Sequence, residues 1–416
     1  MSDSFAAQST SAQSVSTLPV SDLPSPELFW FIPSGGDGHR LGQPTRPASF
    51  AYLSQVAQAA DVLGFDGVLL PTGGTNEETL VVASALSSLT RHLRFLVALR
   101  PGLLSPVLAA RLTASLDRIS GGRVSLNIVS GSGNFDFEGL ELTQAERYEL
   151  TAEWLGVFRA LLRGEEITHH GPHFQITGGR APLPSLQQPY PPIYFGGSST
   201  PALAVAGEHI DVYLSWGERP EQVAEKFAQV QAHAAQHGRT VRFGLRAHII
   251  VRDTEDEAWA AADDLIAGIS DEAIAQAHGA FLSSGSEGQR RQSALNGGTR
   301  ESLRVGPNLW AGVGLVRGGA GTAFVGSAQN VAAALREYQR VGVDSFILSG
   351  YPHLEEAYRT AELLFPALGR PSPALTPHAG QRLGHTATPT LDAARNQVDA
   401  PQTERELVAA GRFRSI

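Results

Sequence analysis

Val212-Tyr-Leu-Ser-Trp216, a run from Pro220 to His237, and Phe243-Gly-Leu-Arg-Ala-His-Ile-Ile-Val251 make up one repeating unit. The outer two runs are short and apolar, as buried strands are. The middle run spaces its apolar residues by three or four, as a helix with one buried face does. The alternation extends in both directions, with strand-like runs at Leu28 to Ile32, Gly67 to Leu70, Leu93 to Leu99, Val124 to Val129, Ile193 to Phe195 and Ser345 to Leu348. Helical segments between them include Phe50 to Leu63, Ala145 to Leu162 and Ala328 to Val341. Eight alternating units predict an α/β fold closed as a (β/α)8 TIM barrel. An open doubly wound sheet is the alternative, but no Gly-x-Gly-x-x-Gly follows the first strand.

Two stretches interrupt the pattern. Glu165 to Ile176 carries His169, His170 and His173 around Gly171-Pro172 and predicts a short hairpin; the histidine spacing fits no helical or zinc-finger ligand set, so no metal is expected. Ser270 to Gly326, with Ser283-Ser284-Gly285-Ser286 and Gly318-Gly319-Ala320-Gly321, reads as a long loop and thus a mobile lid before the last strand. Residues 1–27 and 368–416 have little to bury and read as weakly ordered tails around a domain spanning 28–367. The 41 acidic and 32 basic residues give a formal charge of −9, which argues against a general nucleic-acid or anionic-membrane surface. With no cysteine in the chain, disulfides, thiolate nucleophiles and thiolate metal sites are excluded. No apolar run approaches the roughly 20 residues of a membrane span, and the first 26 residues lack a signal-peptide pattern, so a cytoplasmic location is expected.

A barrel carries its chemistry at the carboxyl ends of its strands. In the run 243–251, Arg246 and His248 alternate on an apolar strand and should share one face, either paired within the protein or lining an anion-binding cavity. Gly196-Gly197-Ser198-Ser199 leads directly into a helix near Pro201, where free N–H groups and hydroxyls either hold a phosphate or cap the helix. Trp216 ends a strand, to pack under the rim or stack on a planar ring. Arg317 precedes a flexible glycine run and is either a solvated loop charge or an arm that swings over an anion. Tyr351 follows the last strand and donates to a ligand or to the backbone. No Ser-His-Asp order, nucleotide P-loop or His-Glu-x-x-His helix is present.

Phe29-Trp-Phe-Ile-Pro33, Gly36-Asp-Gly-His39, the block from Gln187 to Ser199, Asn308 to Gly321 and Ser349 to Tyr358 together resemble the reduced-flavin-dependent alkanesulfonate monooxygenases of the bacterial-luciferase superfamily. The resemblance implies a barrel enzyme that takes FMNH2 from a separate NAD(P)H-dependent FMN reductase, uses O2, and cleaves an alkanesulfonate to sulfite and an aldehyde. A homodimer or homotetramer is also implied. Carried over by position, Arg246, His248, Arg317, Tyr351 and Trp216 are the active-site residues, while Tyr148, Ser198 and Ser199 contact the flavin ribityl phosphate. Thr72 and Asn76 are assigned to the same cofactor. In this mechanism Arg246 and Arg317 neutralise the sulfonate, His248 orients it or moves a proton, and Tyr351 donates to developing negative charge. The chain departs from the family at Asn76, where Cys is frequent, and at Gly35 and Gln144, where His is. A related oxygenase acting on a sulfone or another small substrate, and a non-catalytic flavin-binding barrel, are the competing readings.

Overall fold

The computed structural model describes residues 23–43, 45–131 and 142–371. The two expected tails fall almost entirely outside the described residues. From the start, strands and helices alternate: β1 (Glu27–Phe31), α1 (Phe50–Leu63), β2 (Gly67–Leu70), α2 (Thr79–Ser87), β3 (Arg94–Leu99), α3 (Pro106–Ser120), β4 (Val124–Ile128) and α4 (Gln144–Leu162). The hairpin β5 (Ile167–His170) and β6 (Gln175–Gly179) follows, then β7 (Ile193–Phe195), α5 (Thr200–His209), β8 (Val212–Trp216), α6 (Pro220–Gln236) and β9 (Arg242–Arg246). The remainder comprises β10 (His248–Arg252), α7 (Glu255–Ile266), α8 (Asp271–Ser283), α9 (Glu287–Asn296), β11 (Leu309–Trp310), β12 (Ala323–Ser327), α10 (Ala328–Arg340), β13 (Val343–Ile347) and α11 (His353–Ala367).

Eight strands close a parallel barrel in the order β1-β13-β9-β8-β7-β4-β3-β2, as the alternation of runs predicts. Strand pleating sorts the core into two layers. Phe29 and Phe31 of β1 join Leu69, Leu96, Tyr194, Val212, Leu214 and Ile347 in the cluster filling the barrel. Leu28, Trp30 and Ile32 belong to the larger cluster under the helices. Local chemistry sets the helix ends. Ser105 Oγ accepts from Leu108 N ahead of Pro106 at the first turn of α3, and Gly121 at φ 72° closes that helix in a conformation that penalises a side chain. The histidine-rich hairpin is seated on α4 by Glu153, which accepts from His173 N and Phe174 N and pairs with His169 Nε2 at 2.8 Å.

Two sequence expectations are corrected. The run 243–251 is not one strand; it divides at Ala247. On one side the chain keeps its partner, with Ala247 N donating to Ile347 O and Ile249 N to Ser349 O. On the other side β8 ends at Trp216 opposite Arg246, and β12 takes its place against β10, pairing His248 with Ala323. The exchange of neighbours splits the strand at the barrel rim. The stretch 270–326 is likewise no featureless loop, since it builds α8, α9, β11 and β12. Its α9 buries Gly288, Gln289, Gln292, Ser293 and Asn296, a helical face made of small and polar groups that apolar periodicity does not reveal. Hydrophobic residues around Trp259, Trp310 and Val325 give this accessory layer its own core. Among the described residues no helix is long and apolar enough to cross a membrane.

A buried ionic cluster ties these layers to the rim. Glu218, 2% exposed, bonds Lys226 Nζ of α6 at 2.6 Å and Arg291 of α9 at 2.9 and 2.5 Å, while Lys226 also donates to Ser215 Oγ. Removing the shared carboxylate strands the buried Lys226 cation and leaves the partly exposed Arg291 without its acid. We predict that Glu218→Ala loses about 3–5 kcal/mol of stability in chemical denaturation; a loss under about 1 kcal/mol contradicts the cluster's role.

Candidate active site

Where β8 stops, Gly217 turns the chain sharply and the rim opens. A Cβ at Gly217 would lie 2.3 Å from Thr322 Oγ1, so the turn packs directly on the segment entering β12. Gly217 O receives both Thr322 Oγ1 (2.9 Å) and Gln292 Nε2 (3.0 Å). The same α9 face holds the glycine run: Gln289 Oε1 accepts from Gly319 N at 2.8 Å and Gln292 Oε1 from Gly321 N at 2.9 Å. Trp216 is thereby wedged against Gly288, where an added Cβ would meet its ring at 3.0 Å.

A cavity of about 200 Å³ opens here, bordered by Tyr148, Ser198, Ser199, Trp216, Arg246 and the first turn of α9. At one end lies a backbone cradle. A Cβ at Gly196 would approach Leu214 O to 2.7 Å and one at Gly197 would approach Ala202 Cβ to 2.6 Å, so only glycine lets the chain enter α5 this tightly. Ser199 stands at the N-cap of α5 yet makes no side-chain capping bond, and its Oγ is a buried atom without a hydrogen-bond partner. A buried hydroxyl at a helix N-terminus with unused N–H groups suits an anionic group such as a phosphate.

At the other end stands Arg246, 6% exposed. Its Nη1 donates to Ala247 O (2.5 Å) and Ile347 O (3.3 Å), its Nη2 to Ser349 Oγ (2.7 Å), and no carboxylate pairs with it among the described residues. Arg246 and Arg317 place their guanidinium carbons 4.9 and 5.9 Å from the centre of the same ring, Phe31. Burial, then the positive charge of Arg317, pushes the Arg246 pKa down to about 9. The pair concentrates positive charge at the barrel mouth, with no carboxylate partner among the described residues.

His248 and Tyr351 stack with ring centres 5.5 Å apart and border a second cavity of about 180 Å³, together with His39, Arg252 and Glu356. Both His248 nitrogens are engaged, Nδ1 with Ser349 Oγ at 2.7 Å and Nε2 with Ala320 O at 3.1 Å. Burial, then the nearby Arg246 and Arg317 charges, holds its pKa well below the usual imidazole value. The ring is therefore neutral and occupied, which places it behind Arg246 as support and leaves no nitrogen free to shuttle a proton. Thr72 lies in the turn after β2 and borders neither cavity. Asn76 also borders neither. Its Nδ2 donates to Ser34 Oγ at 3.1 Å, and its amide fits between Gly35 and Gly73, whose added Cβ atoms would stand 3.1 Å from Nδ2 and 2.8 Å from Oδ1. A side chain at Gly35 would therefore crowd the Asn76 amide.

Several contributors, some of them inside the quoted motif blocks, were assigned no role from the sequence. Ser349 bridges Arg246 to His248. Asp37, buried under β1, binds His353 Nδ1 and N at 2.9 and 2.7 Å and also the Tyr52 hydroxyl. Burial alone would raise the Asp37 pKa, but the His353 and Tyr52 hydrogen bonds outweigh it and the carboxyl lies below its ordinary value. His353 in turn meets Tyr351 edge-on at 5.1 Å. Position just after a strand was the available signal for Ser349 and His353. Gln289 and Gln292 gave none, because glutamine on a helix ordinarily faces water.

Comparison with known proteins agrees with this architecture. A riboflavin lyase solved with modified FMN and riboflavin superposes with a TM-score of 0.70 at 18% identity, covering 84% of this chain and 97% of the other. A long-chain alkane monooxygenase gives 0.69 at 21% identity over 83% and 92% of the two chains. DmoA from Hyphomicrobium sulfonivorans gives 0.68 at 19% over 82% and 88%. Likeness at such identities establishes a shared fold. The family model for luciferase-like monooxygenases matches residues 27–345, well over half of the chain, and the chain belongs to that family.

Proposed function

We propose that this protein is an FMNH2-dependent alkanesulfonate monooxygenase. The observation that carries the reading is the Arg246–Arg317 pair over Phe31, a positive site without a carboxylate of its own among the described residues. A buried guanidinium is costly to leave unmatched, and a sulfonate supplies the missing charge with three acceptor oxygens. The Gly196–Ser199 cradle fits the phosphate of FMN, with Tyr148 beside it. Reduced flavin, when bound, supplies the two electrons with which O2 is activated. In the balanced reaction an alkanesulfonate, FMNH2 and O2 give an aldehyde, bisulfite, FMN and water.

The protein's own groups act by binding and exclusion. Arg246 and Arg317 hold the sulfonate and orient its carbon–sulfur bond, and Trp216 walls the space between sulfonate and cradle. Tyr351 donates a hydrogen bond to negative charge developing on oxygen. The glycine run held by Gln289 and Gln292 keeps water from the reacting atoms. A separate NAD(P)H-dependent FMN reductase as flavin source and a homo-oligomeric assembly, dimer or tetramer, complete the proposal.

Sulfite release from a panel of alkanesulfonates, with FMNH2 generated by a reductase in air-saturated buffer, tests it. Turnover of sulfones alone would move the protein to a related oxygenase, and tight flavin binding without turnover would make it a binding barrel. We expect Arg246→Ala to lower kcat/KM by about two orders of magnitude, and an unchanged value removes the clamp. Ser199→Ala should raise the FMNH2 Kd about tenfold with sulfonate KM unaltered.

A further inference from the structure

Arg246 is a donor only, so the Ser349 hydroxyl, 2.7 Å from its Nη2, accepts there. The hydroxyl then has one proton to give, and the partner placed to take it is His248 Nδ1, also at 2.7 Å. With Nδ1 accepting, His248 carries its proton on Nε2 and donates it to Ala320 O at 3.1 Å. The chain runs in one direction from guanidinium to hydroxyl to imidazole to carbonyl, through residues 6%, 0% and 1% exposed. Ala320 belongs to the glycine run after Arg317, so the far end of the chain is anchored beside the second arginine.

We propose that Ser349 is a positioning residue that fixes the plane of Arg246 and, together with the Ala320 carbonyl, holds His248 in its Nε2–H tautomer, joining the two halves of the anion clamp. The proposal rests on Arg246 and Arg317 forming that clamp. Protonating His248 would put a second donor against Ser349 Oγ, whose own proton would then lack this acceptor. The charged or titratable groups around the ring are Arg246 on β9, Arg317 on the segment before β12, Tyr351 and His353 after β13, and, lining the cavity that His248 borders, His39, Arg252, Asp264, Glu356 and Arg359. The carboxylates are engaged elsewhere, Asp37 by His353 and Tyr52, Glu356 by Arg252 and Arg359, and Asp264 by Arg40, so the Arg246 and Arg317 charges favour the neutral ring. A hydroxyl in this position holds a neutral imidazole against a cation with no proton to spare.

The test pairs a spectroscopic readout with an affinity. In wild-type protein loaded with FMN, 15N NMR of His248 should show a protonated Nε2 and an unprotonated Nδ1 between pH 6 and 8. Ser349→Ala should remove the hydrogen bond to Nδ1 and shift its 15N signal while Nε2 stays protonated on Ala320 O, and raise the Kd for pentanesulfonate about tenfold, with the FMN Kd within about twofold of wild type. Ser349→Thr keeps the hydroxyl and should restore the Nδ1 signal and most of the affinity. If Ser349→Ala fails to fold, the wild-type spectrum and Ser349→Thr still decide, because a wild-type Nδ1–H tautomer overturns the proposal. Unmoved His248 signals in Ser349→Ala overturn it too. Unchanged pentanesulfonate affinity in Ser349→Ala, with affinity lost in Arg246→Ala, rejects Ser349 and keeps the clamp; affinity unchanged in both rejects the clamp itself.

Discussion

A guanidinium enclosed in protein without a carboxylate among the described residues is the constraint around which this molecule is arranged. The partly buried Arg252 and Arg291 are matched by acids, Glu356 and Glu218. Among the described residues the buried Arg246 meets only carbonyls and a hydroxyl, and Arg317 adds a second positive charge facing the same aromatic ring. Carbonyl dipoles and the Phe31 ring reduce the cost of burial without cancelling the charge. Such an arrangement destabilises the fold, and it is the kind of local conflict expected where a ligand supplies the remaining interaction.

The barrel determines where that conflict sits. Parallel strands end together at one rim, and the loss of β8 as a neighbour at Gly217 opens a gap beside Arg246 that β12 fills only from His248 onward. The gap becomes the cavity. Its walls are fixed by polar contacts: Glu218 ties the Trp216 turn to α6 and α9, and two glutamines of α9 hold the backbone of Gly319 and Gly321. Hydrogen bonds of this kind are individually modest and break without exposing much apolar surface. A segment secured by them is suited to opening and closing over a substrate while the apolar barrel below stays unchanged.

Much of this was legible in the sequence. All eight barrel strands coincide with apolar runs, because strands buried on both faces have little freedom in composition. Arg246, Ser198, Ser199, Trp216 and Tyr148 were singled out and do border one cavity. The errors share a cause. Apolar periodicity records burial against apolar neighbours, so α9, docked through glutamine, serine and asparagine, looked like loop. The run 243–251 looked like a single strand because both of its halves are buried, and no residue announces that one partner strand is exchanged for another at Ala247. For His248 the sequence left open pairing within the protein or a place on a ligand cavity, and it could not show that Ser349 and Ala320 engage its two nitrogens.

The most direct measurement is a crystal structure of the protein with FMN and a non-turning-over alkanesulfonate bound, with the phosphorus and sulfur atoms located by anomalous scattering. The account predicts the phosphate against Ser198 and Ser199 at the start of α5, and sulfonate oxygens within hydrogen-bond distance of both Arg246 and Arg317. A sulfonate held elsewhere, with Arg246 still bonded only to its carbonyls and Ser349, would contradict it.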